Sequence, residues 1–527
     1  MGIFLNRGIE EFEGAVNSPI YVDKTGMITE FNKLVETEQR YACISRPRRF
    51  GKTMAANMLA AYFEKGSDSR HLFENRKLGQ TTDWDRNLNK YDVIRIDMAD
   101  MISSSDSPEA ALDFIEKNVV KDVLTVYELS DISACTSVGN TLDQVNQAYG
   151  AKFIIIIDEW DAFFRDDRSN GRLQDRYINL LRSLFKGNRS KKFTVLAYIT
   201  GILPIKKYNS ESALNNFREY TMLSPKKLDR FVGFTEDEVR DLCDKYDMDY
   251  KEVSGWYDGY NVGKIGHIFG PNSVVQAMLD GECMNYWSQT VAFSSLGSYI
   301  TMNFDGLRDA IVTMLGGVPV FVDTTGYEND MVSFKTKDDV LTLLVHLGYL
   351  CFNAQDETAY IPNKEVRQIF ERSMKPSGWM EVAEALEASE KLLKNLLKGN
   401  GEAVAEGVEK CHRENTSIIK YNDENSLAAT LGLAFYHARV RYRIVREMPA
   451  GEGFADLVFI PREGEDVPAI VMELKYEDSP ESAIRQIKEK KYPECLEGIK
   501  GEILLVGISY DKGDKKHSCL IEKACLD

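Results

Sequence analysis

Residues Lys152 to Phe164 read KFIIIIDEWDAFF, and this run of four isoleucines ending in two acids limits the fold more than any other segment. β-Branched side chains are stiff at χ1 and suit a pleated strand. A strand that is apolar at consecutive positions has no polar face to offer water, so it must be covered on both sides. Three further runs accompany it: YACIS (Tyr41 to Ser45), YDVIRIDM (Tyr91 to Met98) and KFTVLAYITG (Lys192 to Gly201), separated by helix-like stretches such as TMAANMLAAYFEK. The alternation predicts an α/β fold with a parallel sheet covered on both faces.

The first of these strands runs into RPRRFGKT, Arg46 to Thr53, and then into a helix. That is the context a phosphate-binding P-loop requires. Backbone N–H groups at a helix start, aided by the helix dipole, suit phosphate anions. Gly51 allows close backbone approach, Lys52 can reach the β- and γ-phosphates, and the Thr53 hydroxyl can bind Mg²⁺. Arg46 stands where the general motif has its first glycine, and Arg48, Arg49 and Phe50 complete the loop. Taken by itself, the fragment could also be a basic turn before a helix.

Asp158 and Glu159 close the isoleucine strand, at the sheet edge where ligands of open α/β sheets bind. Asp158 can hold Mg²⁺, and Glu159 can orient or deprotonate an attacking water. They could instead cap the next helix. Thr200, ending another strand, is placed to sense a γ-phosphate or simply to begin a turn. Arg165, Arg168 and Arg189 are candidate arginine fingers among which sequence does not choose. The ligand expected is ATP with Mg²⁺.

YVDKT (Tyr21 to Thr25), RPRRFGKT, IIIIDEWD and YITGIL together resemble the bacterial AAA-ATPase-like family. In that family such a module is fused to a C-terminal PD-(D/E)XK nuclease-like domain, and the resemblance covers most of the chain. It makes Arg46 the family's own form of the loop, and it implies a nucleotide-related role for Asp23 and Lys24. The residues themselves give those two only as a turn before a helix beginning near Met27.

The C-terminal segment fits the second half of that resemblance. FADLVFI (Phe454 to Ile460) and AIVMELKY (Ala469 to Tyr476) read as strands, followed by a helix (PESAIRQIKEKKY) and the strand GEILLVGISY. Glu473 and Lys475 are two apart and share a strand face. Asp456 lies on the neighbouring strand. Asp456 and Glu473 would bind a metal, and Lys475 would orient water or stabilise developing charge, as phosphodiester cleavage requires. Gln486 and Tyr492 resemble the family's helix motif, and Lys488, Lys490 and Lys491 could meet phosphates. Glu424, in NDENS, matches the acid that often completes such sites. Where the family often has Gly-Arg-x-Asp, this chain has Phe454 in GFAD. HARVRYRIVR (His437 to Arg446) is either a basic contact stretch or a solvated edge strand.

A chain of 527 residues exceeds one hydrophobic core. We expect a P-loop domain over 1–225, a helical lid and connector over 226–400, and the nuclease-like domain over 401–527. Thr235 and Glu238 predict a capping box at the start of the middle segment. The net charge of -17 argues against a chain-wide nucleic-acid coat but leaves room for a local basic groove. Nine scattered cysteines without a C-x-x-C pair read as reduced thiols. No signal peptide or membrane span is expected, so the cytoplasm is the default location.

Two functions stay open. One is an ATP-binding, ATP-hydrolysing protein coupled to a Mg²⁺-dependent nuclease acting on DNA or RNA. The other is a nucleotide-dependent switch or scaffold, with an inactive nuclease fold for partner recognition. Tight nucleotide binding without turnover is a third variant, and homo-oligomerisation is left open.

Overall fold

The computed structural model describes all residues except 1, 130–132, 134, 168–169, 206, 209–210, 213, 225, 264–265, 288–291, 303, 329–330, 332, 375–379, 416–430, 432–433, 452, 463–464, 497–500, 515 and 526–527. The chain divides into two compact units, one of Met1–Phe293 with Phe321–Ile369, the other of Ser294–Val320 with Phe370–Asp527. The four runs predicted as strands in the first unit are β1 (Tyr41–Ser45), β2 (Asp92–Asp97), β3 (Phe153–Asp158) and β4 (Thr194–Gly201). A fifth, β5 (Arg218–Tyr220), is too short to leave a periodic signal. The sheet order is β2-β3-β4-β1-β5, with every neighbour parallel.

All six residues of β3 are buried. Its apolar neighbours come from both faces: helices Pro108–Val126, Val138–Tyr149 and Gly171–Phe185 pack on one side through Leu112, Ile115, Leu142 and Leu181. Parallel order puts the C-terminal ends of β1, β3 and β4 along one edge, so Arg46, Asp158 and Gly201 emerge side by side. In the same unit the predicted capping box is present: Thr235 accepts from Glu238 N–H and Glu238 from Thr235 N–H, opening helix Glu236–Tyr246. The segment after it is helical, with two small antiparallel elements, Tyr260–Val262 against Gly266–Phe269 and Cys351–Asn353 against Thr358–Tyr360.

The second unit holds a five-stranded sheet, β6 (Tyr442–Ala450), β7 (Gly453–Pro461), β8 (Ala469–Tyr476), β9 (Glu502–Asp511) and β10 (Lys516–Cys525), in sequential order. Only β8 and β9 are parallel, because helix Pro480–Glu489 makes the crossover between them. That helix packs on one face through Ile484 and Ile487. Helices Met380–Leu397 and Gly401–Asn415 cover the other through Leu396 and Val408. HARVRYRIVR is partly the edge strand β6. No helix among the described residues is long and apolar enough to cross a membrane.

Candidate functional site

The loop after β1 turns tightly into helix Lys52–Phe63. Arg49 at φ 67° and Gly51 at φ 87° both take the left-handed region. Gly51 does so without strain, and this lets the helix begin at Lys52 directly under the loop. The Lys52 side chain is buried; its Nζ donates to Pro47 O at 3.0 Å and lies 3.4 Å from Glu159 Oε1. Glu159 is also held by Arg165, at 2.5 Å from Nη2 to Oε2. Burial disfavours its charge, but Lys52, Arg165 and Arg48 outweigh it and hold the carboxyl below its ordinary range. Arg165 is itself fixed by Asp161, 3.2 Å away, whose Oδ2 accepts from the N–H groups of Ile202 and Leu203.

Asp158 is wholly buried, and burial pushes its carboxyl up to about 6 against the opposing hydrogen bond with Thr53. Its Oδ1 accepts from Glu159 N–H, while Oδ2 has no hydrogen-bond partner among the described residues. A buried oxygen left in this way, next to a threonine hydroxyl, suits a divalent cation. Mg²⁺ takes one or two carboxylates and completes its shell with phosphates and water, so Thr53 and Asp158 are a sufficient protein contribution. Thr200 is buried at the end of β4 and its hydroxyl also lacks a partner among the described residues.

Arg46 does not line the cavity with its neighbours. Its side chain turns inward, 1% exposed, and Nη1 donates to Ser45 O (2.9 Å) and Tyr220 O (3.0 Å). Burial draws its pKa down to about 10. It acts as a strut beneath the loop, tying β1 to β5. Phe50 meets Tyr260 edge-on at 5.2 Å between centroids. Pro47 packs on Gly348, where any Cβ would come within 2.7 Å of the proline ring.

A cavity of about 740 Å³ opens beside the loop. Its lining combines the polar side chains of Lys52, Thr53, Glu159 and Arg165 with an apolar wall that includes Ile20, Tyr21, Val22, Phe234 and Val275. YVDKT builds part of that wall. Asp23 Oδ1 accepts from the N–H and hydroxyl of Thr25, and its Oδ2 from Lys77 N–H. Lys24 donates to Arg230 O at 2.7 Å and pairs with Glu238 at 2.5 Å, so it ties the N-terminal segment to the capped helix. Of the three arginine-finger candidates, Arg165 lines the cavity. Arg189 pairs with Asp143 elsewhere, and Arg168 lies outside the described residues.

In the second unit, Asp456 Oδ2 accepts from Leu474 N–H at 2.8 Å. Glu473, buried, accepts from Gln486 and sits 3.3 Å from Lys475 Nζ. Lys475 donates to Gln486 Oε1 at 2.8 Å, and Gln486 donates to Tyr492 Oη at 3.0 Å. Three of the nominated residues, Lys475, Gln486 and Tyr492, thus form one hydrogen-bonded group with Glu473. Lys488 pairs with Glu522 at 2.5 Å, and Lys490 and Lys491 are exposed near the start of β7. Glu424 and the rest of NDENS lie outside the described residues.

Two further carboxylates escaped sequence reasoning. Asp97 ends β2 in register with Asp158, and burial, with Glu159 adding to it, pushes its pKa up. Glu447, at φ 48°, faces Asp456 at a break in the β6–β7 ladder between the pairs Arg446–Leu457 and Met448–Ala455. Burial raises the Asp456 pKa and Glu447 adds to it. Strand order creates both juxtapositions. The acid ending YDVIRID was the one available signal for Asp97.

The folds and the residues at their edges define a P-loop module followed by a nuclease-type α/β module. Residues 6–209 match the family described as predicted AAA-ATPase, and residues 422–518 match the PD-(D/E)XK nuclease superfamily. The chain therefore combines an AAA-ATPase-like domain with a C-terminal PD-(D/E)XK-superfamily domain. It is 26% identical over 280 residues to an uncharacterized protein in the vnfD 5' region of Azotobacter chroococcum, covering 51% of this chain and 50% of the relative. The chain thus spans about half the length of the curated relative it matches. Among solved structures it is similar to the Aeropyrum pernix ORC1 protein in complex with DNA, at 12% identity and TM-score 0.24, over 72% of this chain and 98% of that one. It is also similar to the replication initiator DnaA bound to AMPPCP and single-stranded DNA, at 9% identity and TM-score 0.26, over 73% and 93%.

Proposed function

We propose that the first unit binds and hydrolyses ATP with Mg²⁺, and that the second is a metal-dependent nuclease whose cleavage responds to nucleotide state. The observation that carries this reading is the meeting of Lys52, Thr53 and Glu159 on the lining of one cavity that also has an apolar wall, with Asp158 buried beside Thr53. The polar groups suit phosphates and the apolar wall suits a nucleobase. A triphosphate would compete with Pro47 O and Glu159 for Lys52 Nζ. It would thereby free Glu159 Oε1 to face a water, while Arg165, paired with Oε2, lines the same cavity.

At the second site Asp456 and Glu473 would hold a divalent metal, which supplies charge stabilisation and an activated water. Lys475, kept in place by Gln486, would orient that water. Lys490 and Lys491 would contact nucleic-acid phosphates. The test is a nuclease assay with and without ATP on single- and double-stranded DNA and RNA, comparing wild type, Lys52→Ala and Glu473→Ala. We expect Glu473→Ala to abolish cleavage and Lys52→Ala to abolish its response to ATP. Cleavage unchanged in Glu473→Ala would remove the nuclease half of the proposal.

One observation favours the scaffold reading. Phe454 is exposed where the resemblance leads one to expect arginine. That reading predicts Lys52-dependent ATP binding with no cleavage under Mg²⁺ or Mn²⁺.

A further inference from the structure

We infer that Glu365 is a positioning residue of the nucleotide site: it competes with the phosphates for Arg49, and nucleotide binding is therefore accompanied by uptake of a proton at Glu365. This rests on the ATP reading above. Residues 48–50 of the P-loop border two spaces at once. They line the cavity of about 740 Å³ together with Lys52 and Thr53. They also line a second, small void of about 20 Å³, which Glu365 shares with Ser273, Tyr257, Tyr260 and Trp287. Lys52 and Thr53 line only the large cavity, and Glu365 only the small void. Arg49 thus has a place for phosphates on one hand and a buried carboxylate on the other.

Glu365 is 2% exposed and lies in the first turn of helix Lys364–Met374. Its Oε1 accepts from the N–H groups of Tyr286 (2.8 Å) and Trp287 (2.9 Å), and Ser273 Oγ donates to Oε2 at 2.9 Å. Burial pushes its pKa up to about 7, against those bonds and against the charge of Arg49. The other groups around it are committed elsewhere. The Tyr257 hydroxyl donates to Met284 O and that of Tyr260 to Gly348 O. Lys364, next to it in the helix, lies over the Trp256 ring. Arg48 lends its charge to Glu159. Among the described residues no hydrogen bond or ion pair holds the side chain of Arg49, so it can turn from one space to the other.

A bound triphosphate brings several negative charges into the large cavity and attracts Arg49. The Glu365 carboxylate then loses the cation that favours its ionised form. It takes a proton from the buffer and remains in place as a neutral acid, because Ser273 Oγ can accept a hydrogen bond as well as donate one. Binding raises the Glu365 pKa, so nucleotide prefers the protonated form. Affinity therefore rises as pH falls toward about 7 and levels off below that.

The experiment titrates the full chain with ATPγS and Mg²⁺ by calorimetry at pH 7.5, in phosphate and in Tris, whose different heats of ionisation report the protons exchanged. The wild type should take up a fraction of a proton per nucleotide that Glu365→Gln does not, because the amide keeps its acceptor oxygen and cannot titrate. Between pH 8.5 and 6.5 wild-type affinity should rise about fivefold more than that of Glu365→Gln. Arg49→Ala should lose the uptake as well, since Glu365 then has no cation to give up. A purely structural role would shift affinity equally at every pH and leave the proton count unchanged. Equal proton counts in wild type and Glu365→Gln overturn the proposal, and so does wild-type uptake in Arg49→Ala. A wild-type chain that binds no nucleotide overturns the ATP reading itself, a distinct outcome.

Discussion

Asp158 shows the tension between holding a charge and keeping a fold. Its carboxyl is raised to about 6, so the folded chain binds that proton more tightly than the unfolded chain does. With no cation bound, stability falls as pH rises from the ordinary aspartate range to about 6, and the loss is complete above that. Cation binding requires the ionised form. The rise in melting temperature caused by Mg²⁺-ATP should therefore fade as pH drops through about 6, measured by scanning calorimetry between pH 5 and 8. Asp158→Asn should stabilise the ligand-free protein at pH 7.5 by about 1–3 kcal/mol and remove the Mg²⁺ dependence of nucleotide binding. Glu159 behaves differently because cations surround it. Glu159→Gln should retain ATP affinity and lose turnover by roughly 10²-fold or more, measured as phosphate release. Persistent turnover in that variant would assign the water to another group, such as Asp97 at the end of the neighbouring strand.

At the level of elements, the legible parts were those whose physics is local. Consecutive β-branched residues specified β3, and Thr235 with Glu238 specified a helix start, because both depend on residues adjacent in sequence. β5 carries three residues with no apolar repeat and exists because β1 offers it an edge. Arg46 was read with the phosphate-binding residues because its place in the motif is known from spacing, whereas its inward direction depends on the carbonyl of Tyr220, 174 residues away. The apolar cavity wall was illegible for the same reason. Its residues come from the segment around Tyr21 and from the middle of the chain, and Lys24 joins the two. Both partners of the Lys24–Glu238 pair are largely buried, so Lys24→Ala should cost about 3 kcal/mol and weaken nucleotide binding, testable by urea denaturation and titration calorimetry. The C-terminal turn offers a matching test. Gly451→Ala places a methyl group against Lys490 O and should destabilise that unit by about 2 kcal/mol or more, seen as a lower midpoint in its own unfolding transition.

For the whole molecule, two compact units predict two unfolding transitions. Mg²⁺-ATP should raise the one that belongs to the P-loop unit, by the ordinary linkage of ligand binding to stability, and Lys52→Ala should abolish that rise. The overall charge of -17 repels polyanions, so the proposed contact with nucleic acid would rest on a local patch such as Lys490 and Lys491.

Neither unit is continuous in sequence. Ser294–Val320 belongs with the C-terminal sheet, yet Phe321–Ile369, which follows it, returns to the P-loop unit and supplies Gly348 against Pro47. On the ribosome, then, the nucleotide-binding half cannot finish assembling until residue 369 has been made, after a piece of its companion has already emerged. No single cut in the gene separates the halves intact, which ties the two modules together as one heritable cassette.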